Sequence, residues 1–145
     1  MHSSRQFKYR SFFTSISQIP EEIWNQLGCT SNIYFHPDYL ESLEKCNKHL
    51  RFFYVIIQDD SKNAIALATC QIIDFELNSL QINQKRVTNS IANFWKRLKI
   101  FPREKPLKIL NCGNTFVSGE HGIFIRKNEN KRKVLRSIAK AILYY

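Results

Sequence analysis

Residues 51–73 read RFFYVIIQDDSKNAIALATCQII, and this stretch decides the fold. Residues 51–58 are rich in aromatic and β-branched side chains, which suit a pleated, buried strand. Asp59, Asp60, Ser61, Lys62 and Asn63 are a turn cluster, because Asp and Asn side chains bond their own backbone. Residues 64–73 are a second apolar run. Two such runs around a short polar turn predict an antiparallel hairpin near the centre of a sheet.

Upstream of the hairpin, His36-Pro37-Asp38 marks a helix start. Proline has no N–H to lose at the first helical position, and an acid there meets the positive end of the helix dipole. Tyr39, Leu40, Leu43, Cys46 and Leu50 follow at helical spacing, with Glu41, Glu44, Lys45 and Lys48 opposite, which predicts a helix over 37–48. His36 reads as a helix-entry residue rather than a ligand. Pro20-Glu21-Glu22 repeats the device for a short helix ending near Gly28, with Trp24 and Leu27 facing inward. Phe7, Tyr9, Phe12 and Phe13 place a first strand within 7–16.

Downstream, residues 74–82 alternate and predict a half-exposed continuation of the second hairpin strand. Val87, Ile91, Phe94, Trp95 and Leu98 form one helical stripe over 85–99, and Lys85, Arg86, Lys96, Arg97 and Lys99 lie opposite. Three uses of that segment stay open: a lid on the sheet with charges in water, a helix on an anionic membrane, or a binder of nucleic-acid phosphates. Residues 107–112 (LKILNC) form a further strand, and residues 115–125 begin and end as strand, bent at Gly119 and Gly122. A last helix is expected over 129–145, with Val134, Ile138 and Ile142 as its stripe, widened by Leu135, Ala139 and Ala141. Asn128 or Asn130 caps its start. It closes on Leu143-Tyr144-Tyr145 with no Gly, Pro or polar tail. The expectation is of a chain truncated at its C-terminus, with Ile138, Ile142 and Tyr145 waiting for missing polypeptide. The element order mixes helices and strands around one largely antiparallel sheet, an α/β or α+β arrangement in a single domain over 1–145.

Hydrophobic residues make up 43% of the 145 and charged residues 23%, enough to bury a core and to exclude a disordered or low-complexity chain. The longest apolar stretch, around Phe52–Ile57, is too short to cross a bilayer. Net charge is +10, unevenly placed: residues 1–79 carry seven Lys/Arg against nine Asp/Glu, and residues 80–145 carry fifteen against three. Two readings stand: the second half sets up a field that attracts anions, or the excess is compositional, since Ile, Asn and Lys together supply 42 residues, as an AT-rich coding sequence gives. Cys29, Cys46, Cys70 and Cys112 show no CxxC and no zinc-ligand spacing, and no apolar signal segment precedes them. The simplest reading is a cytoplasmic protein with four reduced, mostly buried thiols.

Residues 111–122 (NCGNTFVSGEHG) hold three of the four glycines. Glycine lets backbone approach a ligand or another strand closely, and exposed N–H groups in such a bend can hold an anion. Ser118, Glu120 and His121 supply the residue types of a nucleophile, an acid or base and an orienter, so Glu120 and His121 are the candidate catalytic residues. Cys112, Gly113, Asn114, Ser118 and Gly119 are the candidate ligand-binding residues. The plainer reading is a bulged hairpin whose polar groups satisfy its own turn. Cys112 is read chiefly as a small core residue, with Lys108 as the group able to activate it. The glycine spacing matches neither GxGxxG nor a Walker A loop. No cofactor and no metal site is legible in the residues.

Two stretches together resemble a known family. Tyr34-Phe35-His36-Pro37-Asp38-Tyr39-Leu40-Glu41-Ser42-Leu43-Glu44 and Cys112-Gly113-Asn114-Thr115-Phe116-Val117-Ser118-Gly119-Glu120-His121-Gly122 are similar to the front part of the bacterial GNAT-like acyltransferases of the FemAB, peptidoglycan-recognition type. The resemblance covers roughly residues 20–125. It implies a GNAT-like mixed, largely antiparallel sheet flanked by helices, of which this chain is the N-terminal half. It further implies transfer of an acyl or aminoacyl group to a small-molecule amine, with acyl-CoA or a charged tRNA as donor and a missing C-terminal half as partner. One departure is plain: the Q/R-x-x-G-x-G/A turn that holds a donor pyrophosphate is absent. The alternative reading is a small basic protein that binds nucleic acid or an anionic surface.

Overall fold

In the computed structural model, which describes residues 9–75, 107–116 and 122–144, the hairpin forms the centre of the sheet. Tyr9–Phe13 (β1) pairs antiparallel with Arg51–Gln58 (β2), and β2 pairs antiparallel with Ala64–Phe75 (β3). Leu107–Cys112 (β4) and Ile123–Ile125 (β5) both lie along the other edge of β3, β5 antiparallel to it. Three α-helices, Glu21–Leu27 (α1), Pro37–Cys46 (α2) and Lys131–Leu143 (α3), and two short 3-10 helices, Ile16–Gln18 and Ile33–Phe35, complete the described elements. The fold is therefore a mixed α and β arrangement around a largely antiparallel sheet of five strands among the described residues. The chain divides into two compact units, residues 1–73 with 110–145, and residues 74–109. The first holds the helices and the body of the sheet. Of the second, the described residues are the ends of β3 and β4. The predicted helix over 85–99 and the alternation beyond Phe75 lie outside the described residues.

Local signals explain the element ends. Asp59 Oδ1 accepts from the N–H groups of Ser61 and Asn63 at 2.9 Å, closing the β2–β3 turn. Gly28 ends α1 in the left-handed region at φ 63°, where its missing Cβ removes the steric penalty. His36 caps α2 as expected: its Nδ1 accepts from the Asp38 N–H at 3.3 Å. The helix stops at Cys46, short of the expected Lys48, because Asn47 folds back and its side-chain amide donates to the Leu43 carbonyl at 2.9 Å. Asn130 caps α3 by accepting from the Lys133 N–H at 3.1 Å, and Asn128 stands outside the helix at φ 72°.

β2 is buried on both faces, so it reads as a continuous apolar run rather than an alternation. On one face Tyr54 and Ile56 pack with Leu67 of β3 and with Trp24, Leu27, Phe35 and Leu40 from the α1–α2 region. On the other, Phe53, Val55 and Ile57 pack with Ala66, Ala68 and Cys70 of β3 and with Val134, Ile138 and Ala141 of α3. A one-residue bulge in β3, between the pairs Ile57–Ala66 and Gln58–Ala64, adds Ile65 to that second face.

Two expectations need correction. Leu135 and Ala139 do not widen the inner face of α3; both are exposed, because the helix meets the sheet on a narrower stripe centred on Val134, Ile138 and Ala141. That stripe does not wait for a neighbour either: Ile138 is 1% exposed against this chain's own strands, and Ile142 is half-buried. Leu143 and Tyr144 are 82% and 84% exposed, and Tyr145 lies outside the described residues.

Candidate functional site

β4 and β5 meet at one residue of β3. The Gly113 N–H donates to the Thr69 carbonyl at 2.8 Å, and the Thr69 N–H donates to the Gly122 carbonyl at 2.9 Å. Thr69 Oγ1 adds a longer bond to the same Gly122 oxygen at 3.4 Å. The chain thus leaves Thr69 at Gly113 and returns to it at Gly122. The return is so close that a Cβ on Gly122 would stand 2.6 Å from the Cys112 carbonyl oxygen and 2.9 Å from Gly113 Cα. Only glycine fits that crossing without moving backbone. Gly113 itself takes φ 128°, a value that L side chains rarely adopt.

Polar side chains hold the root of this segment. Asn114 is 7% exposed; its Nδ2 donates to the Tyr39 hydroxyl at 2.8 Å and its Oδ1 accepts from the Phe116 N–H at 2.9 Å. Gln71 Oε1 accepts from both the Thr115 N–H, at 2.9 Å, and the Thr115 hydroxyl, at 2.5 Å. Asn111 Nδ2 donates to the Gly113 carbonyl at 3.2 Å. The hollow between Tyr34, Tyr39, Phe52, Gln71, Gly113 and Asn114 has a volume of about 10 Å³, room for one water molecule at most. Residues 115–116 form a turn rather than the expected start of a strand, because Asn114 and Gln71 together take up the local N–H groups.

Of the candidate ligand-binding residues, Gly113 and Asn114 have an architectural task at this crossing, and Cys112 precedes them at the end of β4. Ser118, Gly119, Glu120 and His121 lie outside the described residues. Sequence reasoning missed Tyr39, Thr69 and Gln71. Thr69 and Gln71 had a legible signal: they are the two polar residues in the run AIALATCQII, two apart and so on one face of β3. Tyr39 had none, since its partner lies 75 residues away.

The thiols differ sharply in environment. Burial pushes the Cys29 thiol up to about 11. Cys112 is half-buried, and a hydrogen bond from the Cys70 thiol favours its thiolate and holds it below the usual cysteine range, against the opposing effect of its burial. Cys70 moves the other way: that same bond, then burial, then the negative charge on Cys112 make it keep its proton. The activating group is thus Cys70, not Lys108 as the sequence suggested.

Elsewhere, Glu44 serves structure. Its carboxylate accepts from the Ile16 N–H at 2.8 Å, the Tyr54 hydroxyl at 2.7 Å and the Ser15 hydroxyl at 2.9 Å. It borders an open cleft of about 390 Å³ with Thr14, Arg51, Phe52 and Ile72. Among the described residues no three His, Cys, Asp or Glu side chains gather as a metal site requires. Among them also, no helix is long and apolar enough to cross a membrane. No family model, curated protein or solved structure matches the chain at a significant level.

Proposed function

We propose that the chain is the N-terminal part of a GNAT-like N-acyltransferase that moves an acyl or aminoacyl group to an amine. One observation carries this reading. The two stretches that bear the resemblance, around residues 34–44 and 112–122, meet in space through the Tyr39–Asn114 hydrogen bond of 2.8 Å. Two separate motifs that converge on one point fit a shared site better than two unrelated turns. The largely antiparallel sheet beneath them is of the kind the resemblance implies. Acyl transfer requires a base and positioned N–H donors at the acyl carbonyl. Glu120 and His121 are the candidates for this chemistry. Acyl-CoA is the donor class to test first. Thermal-shift measurements with acyl-CoA compounds, on this chain and on one lengthened at its C-terminus, provide the test. Stabilisation of the longer chain, lost on Asn114→Ala, is expected. No stabilisation of either chain overturns the reading.

A second reading has its own observation. Lys131, Arg132, Lys133, Arg136 and Lys140 are all exposed on α3, whose apolar stripe is already used against the sheet. Such a surface suits a polyanion. Phosphate-driven binding weakens steeply between ~50 and ~200 mM salt. Salt-insensitive or absent binding to mixed-sequence RNA and DNA removes this second reading.

A further inference from the structure

The Gly113–Thr69 hydrogen bond of 2.8 Å sets Cys112 beside Cys70 on adjacent strands. Both side chains belong to the apolar cluster under α3, Cys70 buried within it and Cys112 packed against it. Residues opposite one another on neighbouring strands have Cα atoms about 4.5–5.5 Å apart, inside the about 4.4–6.8 Å range a disulfide spans. All four cysteines are free in this structure, so the pair stands in its reduced form.

We propose that Cys70 and Cys112 are an oxidative modification site, at which a hydroperoxide converts the two thiols into a reversible disulfide tying β4 to β3. The roles follow from position. Cys112 is the half-buried partner, its sulfur 4.0 Å from the Gly122 carbonyl oxygen at the segment's root, whereas Cys70 is 1% exposed behind it. The Cys112 thiolate attacks one peroxide oxygen, the O–O bond breaks, and the departing oxygen takes a proton and leaves as water or an alcohol. Cys112 is then a sulfenic acid. The Cys70 sulfur attacks the Cys112 sulfur, its proton joins the departing hydroxide, and water leaves as the S–S bond forms. Two thiols have lost two electrons and two protons, and the peroxide has been reduced. A thiol reductant reverses the bond by exchange. The site does not depend on the acyltransferase reading, because neither donor nor acceptor enters the steps.

The test uses the full chain carrying Cys46→Ser, which removes the exposed thiol and with it chain-to-chain linkage. Hydrogen peroxide is added, and free thiols and non-reducing peptide maps are followed. Three thiols should fall to one, with a single linked peptide pair containing Cys70 and Cys112 that dithiothreitol releases. Adding Cys70→Ser should leave a sulfenic acid on Cys112 that dimedone labels, and adding Cys112→Ser should abolish labelling. Persistence of all three thiols, or their loss without the Cys70–Cys112 link, overturns the proposal. The peptide map decides the matter even where a further serine variant fails to fold.

Discussion

Phe53, Val55 and Ile57 on one face of β2 meet α3, while Tyr54 and Ile56 on the other meet the α1–α2 region. Both faces exclude water almost completely. The α3 face is apolar apart from the thiol pair and Ser137, so α3 is held mainly by burial. The α2 face is laced with hydrogen bonds: Tyr54 to Glu44, Asn114 to Tyr39, Gln71 to Thr115, and Gln26 to the Ala64 N–H at 2.7 Å. Burial is not directional and tolerates small shifts, whereas hydrogen bonds fix distances and angles. The difference teaches where a geometry-sensitive site belongs. Asn114 and Thr115 are positioned by the hydrogen-bonded face, and Gly113 and Gly122 are both bonded to Thr69 of β3 in the same sheet.

The largest effect expected on this comparison comes from cutting the α3 face. Ile138→Ala should destabilise the fold by about 2–5 kcal/mol, because it removes a buried side chain and leaves a cavity. Urea unfolding measures it, and a loss below about 1 kcal/mol would mean that burial does not hold this helix.

Next comes Tyr54→Phe on the other face, which deletes the bond to Glu44 while Ser15 and Ile16 still serve that carboxylate. The expected loss is about 1.5–3 kcal/mol. The variant also has a pH signature. Burial first, then the bond to Glu44 and its charge, hold the Tyr54 hydroxyl proton well above the usual tyrosine range. The unfolded tyrosine ionises first, near pH ~10, so this stabilisation is whole below that pH and is lost as pH rises above it. Stability should therefore fall less steeply above pH ~10 in Tyr54→Phe than in the parent. Equal slopes would show that this hydroxyl is not held as described.

The smallest effect sharpens the contrast within α3 itself. Asn130→Ala removes the cap on the Lys133 N–H and should cost about 1 kcal/mol, well below Ile138→Ala. A loss equal to that of Ile138→Ala would place the hold on α3 in its cap rather than in its buried stripe.

Much of the candidate site was legible in part. The glycine-rich stretch pointed to close backbone approach, and Gly122 makes one against Cys112 and Gly113. The pairings that hold the site were hidden: Gln71 showed only as a polar residue in an apolar strand, and nothing local links it to Thr115 or Tyr39 to Asn114. The same holds for Cys112: Lys108 is its neighbour in sequence, but Cys70 is its neighbour in space.

By itself, the order of residues determined the β2–β3 hairpin, the helix starts at Pro20 and His36, a start of the last helix at Asn128 or Asn130, and the stop at Gly28, because turns and caps are settled by bonds within a few residues. Tertiary structure alone decided which stripe of α3 is covered, that Leu135 faces outward, that one threonine of β3 receives both Gly113 and Gly122, and that Cys70 and Cys112 share one apolar cluster. Those outcomes depend on contacts between distant segments, where packing and strand register choose among faces that local pattern leaves equivalent.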